Sequence, residues 1–232
     1  MIEFHRVSKA YSNDAIALQD ISLSIATGEL VFLAGPSGAG KSTFLKLIAG
    51  LERPTEGAVT FNGQNIGQLK NSSLPYLRRR IGFISQEHGL LLDRSVLVNV
   101  MLPMIVVGAS AVEAETRARA ALERVNLAGR ENARPLALSG GEQQRAAIAR
   151  AIVNRPEIIL ADEPTAFLDR DNAQLVLNTL KAFQNAGVTC IISSHDEQLF
   201  DQSSRVIYLS EGRVTHAWQS SVMHSASVQA AE

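Results

Sequence analysis

Ile21, Leu23 and Ile25 alternate with Ser22 and Ser24, the period-two pattern of a strand with one face buried and one face in water. Together with Ile2-Glu3-Phe4, this predicts strands over 2–4 and 18–25 in an antiparallel sheet near the N-terminus. Elsewhere the apolar residues run together. Residues 30–34, 158–161 and 188–192 are apolar runs of buried-strand length. Further strands are expected at 58–61, after the turn Pro54-Thr55-Glu56-Gly57, and at 81–84. Helical stretches fall at 44–49, 96–107, 111–125, 142–153 and near 171–186, the third of these rich in Ala, Glu and Arg. Gly50 can end the first helix. Strands alternating with helices imply an α/β fold with a mostly parallel sheet covered on both faces. Residues 206–209, a Glu211-Gly212 turn and Arg213-Val214 read as a closing hairpin. One domain over 1–217 is expected, with a polar, loosely ordered tail over 218–232.

Composition narrows this picture. A chain of 232 residues, 46% hydrophobic, can bury a substantial core as one α/β domain with a small appended lobe. A net charge of −1 gives no sign of a nucleic-acid binder held by bulk electrostatics, and the basic run Arg78-Arg79-Arg80 reads as a solvated face or a partner contact. The single cysteine, Cys190, lies in a predicted strand as a small apolar residue. Met1 to Arg6 show neither the charged lead nor the apolar core of a signal peptide. The longest apolar stretch, 96–109, contains Asn99 and Pro103 and falls short of the ~20 residues that cross a bilayer. Any membrane role would come through a partner.

The chemistry starts at Gly35-Pro36-Ser37-Gly38-Ala39-Gly40-Lys41-Ser42-Thr43, which fits the phosphate-binding loop, with an apolar strand before it and a helix after it. Triphosphate oxygens need closely spaced backbone N–H groups, and Gly35, Gly38 and Gly40 leave that space clear. Lys41 would reach the β- and γ-phosphates and the Ser42 hydroxyl would ligate magnesium. A nucleoside triphosphate with Mg²⁺ is therefore the expected ligand, and the loop alone leaves kinases, GTPases and ATPases open.

A second glycine-rich helix start follows at Leu138-Ser139-Gly140-Gly141-Glu142-Gln143-Gln144-Arg145, with Ser139 as a plausible N-cap and Gly140 and Gly141 exposing N–H groups. One nucleotide needs only one such cradle, so this surface is expected to close over ATP held by another copy. Next, the strand 158–161 ends in Asp162-Glu163, carboxylates at the edge where parallel sheets bind ligands. Asp162 suits magnesium through its water shell. Glu163, expected to point the other way on that strand, can polarise an attacking water. Another strand ends in Ser193-Ser194-His195-Asp196, which places His195 beside the γ-phosphate.

These motifs, in this order over nearly the whole chain, resemble the ATP-binding-cassette (ABC) family of ATPases. The resemblance implies a P-loop NTPase core, an N-terminal antiparallel β lobe and an inserted helical subdomain over about 87–150. It implies that Tyr11 stacks on adenine and that Gln86 senses magnesium and couples to a membrane partner. Residues Leu138 to Gln143 become the signature acting in trans within an ATP-bound homodimer. Asp162 and Glu163 become the magnesium aspartate and catalytic glutamate, Asp169 the interface aspartate and His195 the switch histidine. Phe167 and Ser85 depart from the family pattern. Within the family, segments such as Pro75-Tyr76-Leu77-Arg78-Arg79 and Leu90-Leu91-Leu92-Asp93-Arg94 are most similar to the bacterial cell-division ATPases. Those pair with an integral membrane permease of the FtsX kind, at the cytoplasmic face of the inner membrane. ATPases of lipoprotein-release and macrolide-type exporters resemble these segments too. A DNA-repair ATPase would insert coiled coils or zinc modules between Ser42 and Leu138, yet that stretch has neither sustained heptads nor cysteine pairs. A small-molecule kinase would have no use for the signature helix.

Overall fold

The computed structural model describes residues 1–12 and 15–219. In chain order the elements are β1 (Ile2–Ser12), β2 (Ala15–Ile25), β3 (Leu30–Ala34), α1 (Lys41–Ile48), β4 (Glu56–Phe61), β5 (Gln64–Asn65), α2 (Leu74–Arg79), β6 (Ile81–Ile84) and α3 (Val96–Val106). Then come α4 (Ala111–Arg124), α5 (Gly140–Ile152), β7 (Ile158–Asp162), α6 (Arg170–Asn185), β8 (Thr189–Ser193), β9 (Arg205–Ser210) and β10 (Arg213–Gln219). The chain divides into two compact units: Met1–Gly67 with the segment from Ile191 onward, and Gln68–Cys190.

The first unit holds the antiparallel sheet, in the order β2-β1-β4-β5. Phe4 pairs with Leu23 on one side and Val59 on the other. Both β1 and β2 are longer than the 2–4 and 18–25 expected. The reason is a series of register shifts along their ladder, with Arg6 at φ 49 and Asp20 at φ 48. Each shift flips the inward face, so strict alternation holds only over part of the pair. Phe4 stacks on Phe44 at 4.2 Å between ring centroids, which fixes α1 against this sheet. In the same unit β9 runs parallel to β3, Phe32 opposite Val206, and β10 returns antiparallel to β9 as far as Gln219. Of the expected tail, residues 220–232 lie outside the described residues.

The second unit is built on α3, α4 and α5, which pack on one another, with β6 and β7 as parallel neighbours, Gly82 opposite Ile159. Four of its helices begin alike. The side chains of Ser95, Ser110, Ser139 and Asp169 each accept from the backbone N–H three residues on. The α2 helix, absent from the hydrophobic pattern, is too short to show a period; Pro75 sits in its first turn. Arg80 donates to Glu157 through Nε at 2.6 Å and Nη2 at 2.8 Å, so the third arginine of the basic run belongs to the fold. Among the described residues no helix is long and apolar enough to cross a membrane.

Candidate nucleotide site

Between β3 and α1 the chain must turn sharply and keep its amides free, and the glycines explain how. Gly35, Gly38 and Gly40 have φ of 136°, 80° and 105°. A Cβ on Gly35 would run into the Leu209 carbonyl, and one on Gly40 would lie 2.8 Å from Leu18 Cδ2, whereas Gly38 has nothing within 4 Å. The first and third glycines therefore let the loop sit down on its neighbours, while the middle one supplies only backbone conformation. Lys41 is buried, and its Nζ donates to the Gly35 carbonyl at 2.7 Å and to that of Pro36 at 3.2 Å. The loop is thus wrapped around its own ammonium. Ser37 and Gly38 are exposed, Pro36 and Ala39 lie on either side of them, and Ser42 and Thr43 are in the first turn of α1.

Tyr11, at the end of β1, is about half exposed. Its hydroxyl is 3.4 Å from Thr43 Oγ1, and Lys9 Nζ stands over the ring 4.8 Å from the centroid. His195 is exposed just past β8. Its approach is set by Ser194, whose N–H donates to the Leu33 carbonyl at 3.1 Å and whose Oγ accepts from Asp196 N at 3.0 Å.

In the second unit, α5 opens on a full capping box. Ser139 Oγ accepts from Glu142 N at 3.3 Å, and Glu142 Oε2 accepts from Ser139 N at 2.8 Å. The other oxygen of Glu142 meets Arg130 Nε at 3.0 Å. The Ser139 backbone bond, more than the arginines nearby, holds the Glu142 carboxyl below the usual carboxylate range. Gly140 is exposed, but Gly141 is buried: a Cβ there would come within 2.5 Å of Asn172 Cγ. Gly141 is thus a glycine because the Asn172 side chain fills the space above it.

Asp162 is the buried last residue of β7. Glu163 lies one residue past the strand at φ 48, not on it as expected, so its direction is set by a left-handed turn rather than by strand alternation. That turn, 163–168, is held by Ala166 N to the Glu163 carbonyl and Leu168 N to the Thr165 carbonyl. It carries Phe167 at φ 63 and 93% exposed. Asp169 ends it as the N-cap of α6. Its Oδ1 accepts from Asn172 N and its Oδ2 from Asn172 Nδ2, both at 2.8 Å, and these bonds hold the carboxyl below its ordinary range.

Gln86 is exposed in the loop after β6. Two residues outside the motifs shape that loop. Arg150 donates to the carbonyls of Gly89 at 2.6 Å and His88 at 2.5 Å. Asn99, fully buried, accepts from Leu91 N at 2.7 Å and donates to the carbonyls of Leu91 and Ser95 at 3.0 Å. A lone amide in the apolar run 96–109 was the signal for the second. Nothing in the sequence singled out Arg150 or Asn172. Burial of His88, with the Arg150 charge beside it, pushes the imidazole pKa down. The donor types of each unit fit a magnesium nucleotide: in the first, the loop has amides and an ammonium suited to phosphate and Ser42 a hydroxyl; in the second, Asp162 and Gln86 carry hard oxygens of the kind magnesium takes.

Residues 18–166 match the ABC transporter family model. The chain is 47% identical over 215 residues to "Cell division ATP-binding protein FtsE" of Escherichia coli K12, covering 92% of this chain and 97% of that protein. It is 40% identical over 213 residues to the protein of the same name in Bacillus subtilis 168, covering 91% and 93%. A dimeric structure of the ATP-binding cassette MJ0796 in a post-hydrolysis state, bound to ADP and Pi, superposes with a TM-score of 0.88 at 37% identity, covering 94% of this chain and 98% of that one. With a family model matching most of the chain and relatives 40–47% identical over nearly its whole length, the chain belongs to the ABC transporter family and is one of its ATP-binding-cassette ATPases.

Proposed function

We propose that two copies of this chain close head to tail around ATP, that hydrolysis reopens them, and that the motion drives an integral membrane partner. The observation that carries this reading is the loop 35–43, whose buried lysine donates to the Gly35 carbonyl and in which Gly35 and Gly40 leave no room for a side chain. In the reaction, water loses a proton to the Glu163 carboxylate, its oxygen bonds to the γ-phosphorus, and the bond to the bridging oxygen breaks, leaving ADP and phosphate. Lys41 and the loop amides bind the phosphates, Tyr11 stacks on adenine with the ring face away from Lys9, and His195 steadies the γ-phosphate. Bound magnesium would neutralise phosphate charge, with Ser42, Asp162 and Gln86 as its holders. Ser139, Gly140, Gly141 and Glu142 cap the nucleotide of the second copy, and Asp169 lies at the contact between copies.

The partner is proposed to be an FtsX-like permease in bacterial cell division, with the ATPase held peripherally at the cytoplasmic face of the inner membrane. The similarity to FtsE over almost the full length of both chains supports this. The docking face is placed over residues 86–107, where Leu91, Leu92 and Ile105 are exposed. The arrangement of 1–217 as one ATPase domain with a helical subdomain near 87–150 belongs to the same reading.

The test is Glu163→Gln. Turnover should fall about 10²–10⁴-fold, the range for a lost general base, while ATP traps a dimer in sedimentation velocity. Wild-type turnover would remove Glu163 from its role. For the partner, Arg78→Glu with Arg79→Glu should reduce co-purification of the membrane protein while sparing basal hydrolysis. Loss of both together would argue against a separate docking surface.

A further inference from the structure

Every polar atom of the Asn172 side chain is used, and the partners lie on two different stretches. Nδ2 donates to Asp169 Oδ2 at 2.8 Å and Oδ1 accepts from Arg145 Nη1 at 2.9 Å. The backbone N–H of Asn172 takes the remaining Asp169 oxygen. Capping α6 needs only that backbone bond. The side-chain bond goes further: with both oxygens occupied, the Asp169 carboxyl is held in one orientation. On its other side, Asn172 fills the space above Gly141, and Arg145, whose guanidinium it receives, is itself buried in α5 with Nε unpartnered. One amide thus joins the turn that carries Glu163, Phe167 and Asp169 to the start of the helix that carries Ser139, Gly140 and Gly141.

We propose that Asn172 is a positioning residue that locks the turn ending in Asp169 to the glycine start of α5, so that both surfaces meet a second copy as one rigid piece. This rests on the proposed ATP-driven dimer. It adds that the two surfaces are coupled inside each copy through a side chain that need not touch nucleotide.

Asn172→Asp is the decisive variant. It keeps the size over Gly141 and the acceptor for Arg145, but replaces the donor to Asp169 with a second carboxylate. Placed in the Glu163→Gln background, it should weaken the ATP-trapped dimer about 10-fold in sedimentation velocity, the scale of a lost coupling contact. In the parent it should lower kcat by a similar factor. ATP KM and the urea unfolding midpoint should stay within about 2-fold and experimental error, a split that a merely structural role would not produce. Asn172→Ala, which also strips Arg145 of its acceptor, should show the same coupling loss together with a lower urea midpoint. Dimerisation and kcat at parental levels in Asn172→Asp would overturn the proposal, as would a loss confined to Asn172→Ala, which would place the effect in support of Arg145. If Glu163→Gln alone stays monomeric with ATP, the proposed function fails and this inference with it.

Discussion

Lys41 Nζ donates to the Gly35 carbonyl at 2.7 Å, so the ammonium already spans the loop it belongs to. In the proposed function, phosphate oxygens entering the loop would replace these two carbonyl acceptors with charged ones, a charge-assisted contact that a neutral side chain cannot make. Lys41→Ala should weaken ATP binding about 10–100-fold, from the 1.5–3 kcal/mol of a hydrogen bond to a charged group. Titration calorimetry with ATP checks this; unchanged affinity would move the phosphates elsewhere.

The loop glycines should not be equivalent. Gly35→Ala drives a methyl into the Leu209 carbonyl at φ 136, whereas Gly38→Ala meets nothing within 4 Å at φ 80. The first should cost about 2–5 kcal/mol, left-handed backbone and overpacking together, and the second about 1–2 kcal/mol from conformation alone. Urea unfolding of the two variants gives the order directly, and equal losses would mean the loop relaxes away from β9.

Glu142 offers a test by pH. Its carboxyl is held below the ordinary range by Ser139 N–H and, less strongly, by Arg130 and Arg145. A depressed folded pKa means the carboxylate stabilises the fold above its unfolded value, about 4, and that this contribution is lost as pH falls through the lower folded value. Glu142→Gln keeps a capping acceptor and removes the charge. Its deficit, about 0.3–1 kcal/mol for a carboxylate in a first helical turn, should be present at neutral pH and vanish in strong acid. A deficit independent of pH would assign the effect to geometry instead of charge.

Asn99 holds the loop after Gln86 to α3 through two hydrogen bonds to Leu91, with a third to Ser95 at the start of its own helix. Asn99→Leu suits the apolar run around it but strands the Leu91 N–H and carbonyl. A loss of about 1–3 kcal/mol in urea unfolding is expected, with faster hydrogen exchange at the Leu91 amide. Wild-type protection there would show the loop is held by Arg150 alone.

By itself, the order of residues determined most of the elements and the chemistry. The strand at 30–34, the loop at 35–43, the helices at 96–107, 111–125 and 171–186, and the capped start at Ser139 all fall where the structure has them, within a residue or two. Each is a local matter: an apolar period, a cap, a glycine spacing. Tertiary structure decided what depends on distant neighbours. β1 and β2 run beyond the alternating stretches because their ladder shifts register, with Arg6 and Asp20 at positive φ, and a flipped register can be recognised only once the partner strand is present. Glu163 leaves the strand because the following turn takes a left-handed residue, and no alternation of side chains forecasts φ. Gly141 is kept free of a side chain by Asn172, a residue remote in sequence whose approach arises only when α5 and α6 pack. Arg80, read with its neighbours as a surface charge, is bound bidentately to Glu157 for the same reason: hydrogen-bond partners far along the chain are chosen by the fold, not by the local pattern.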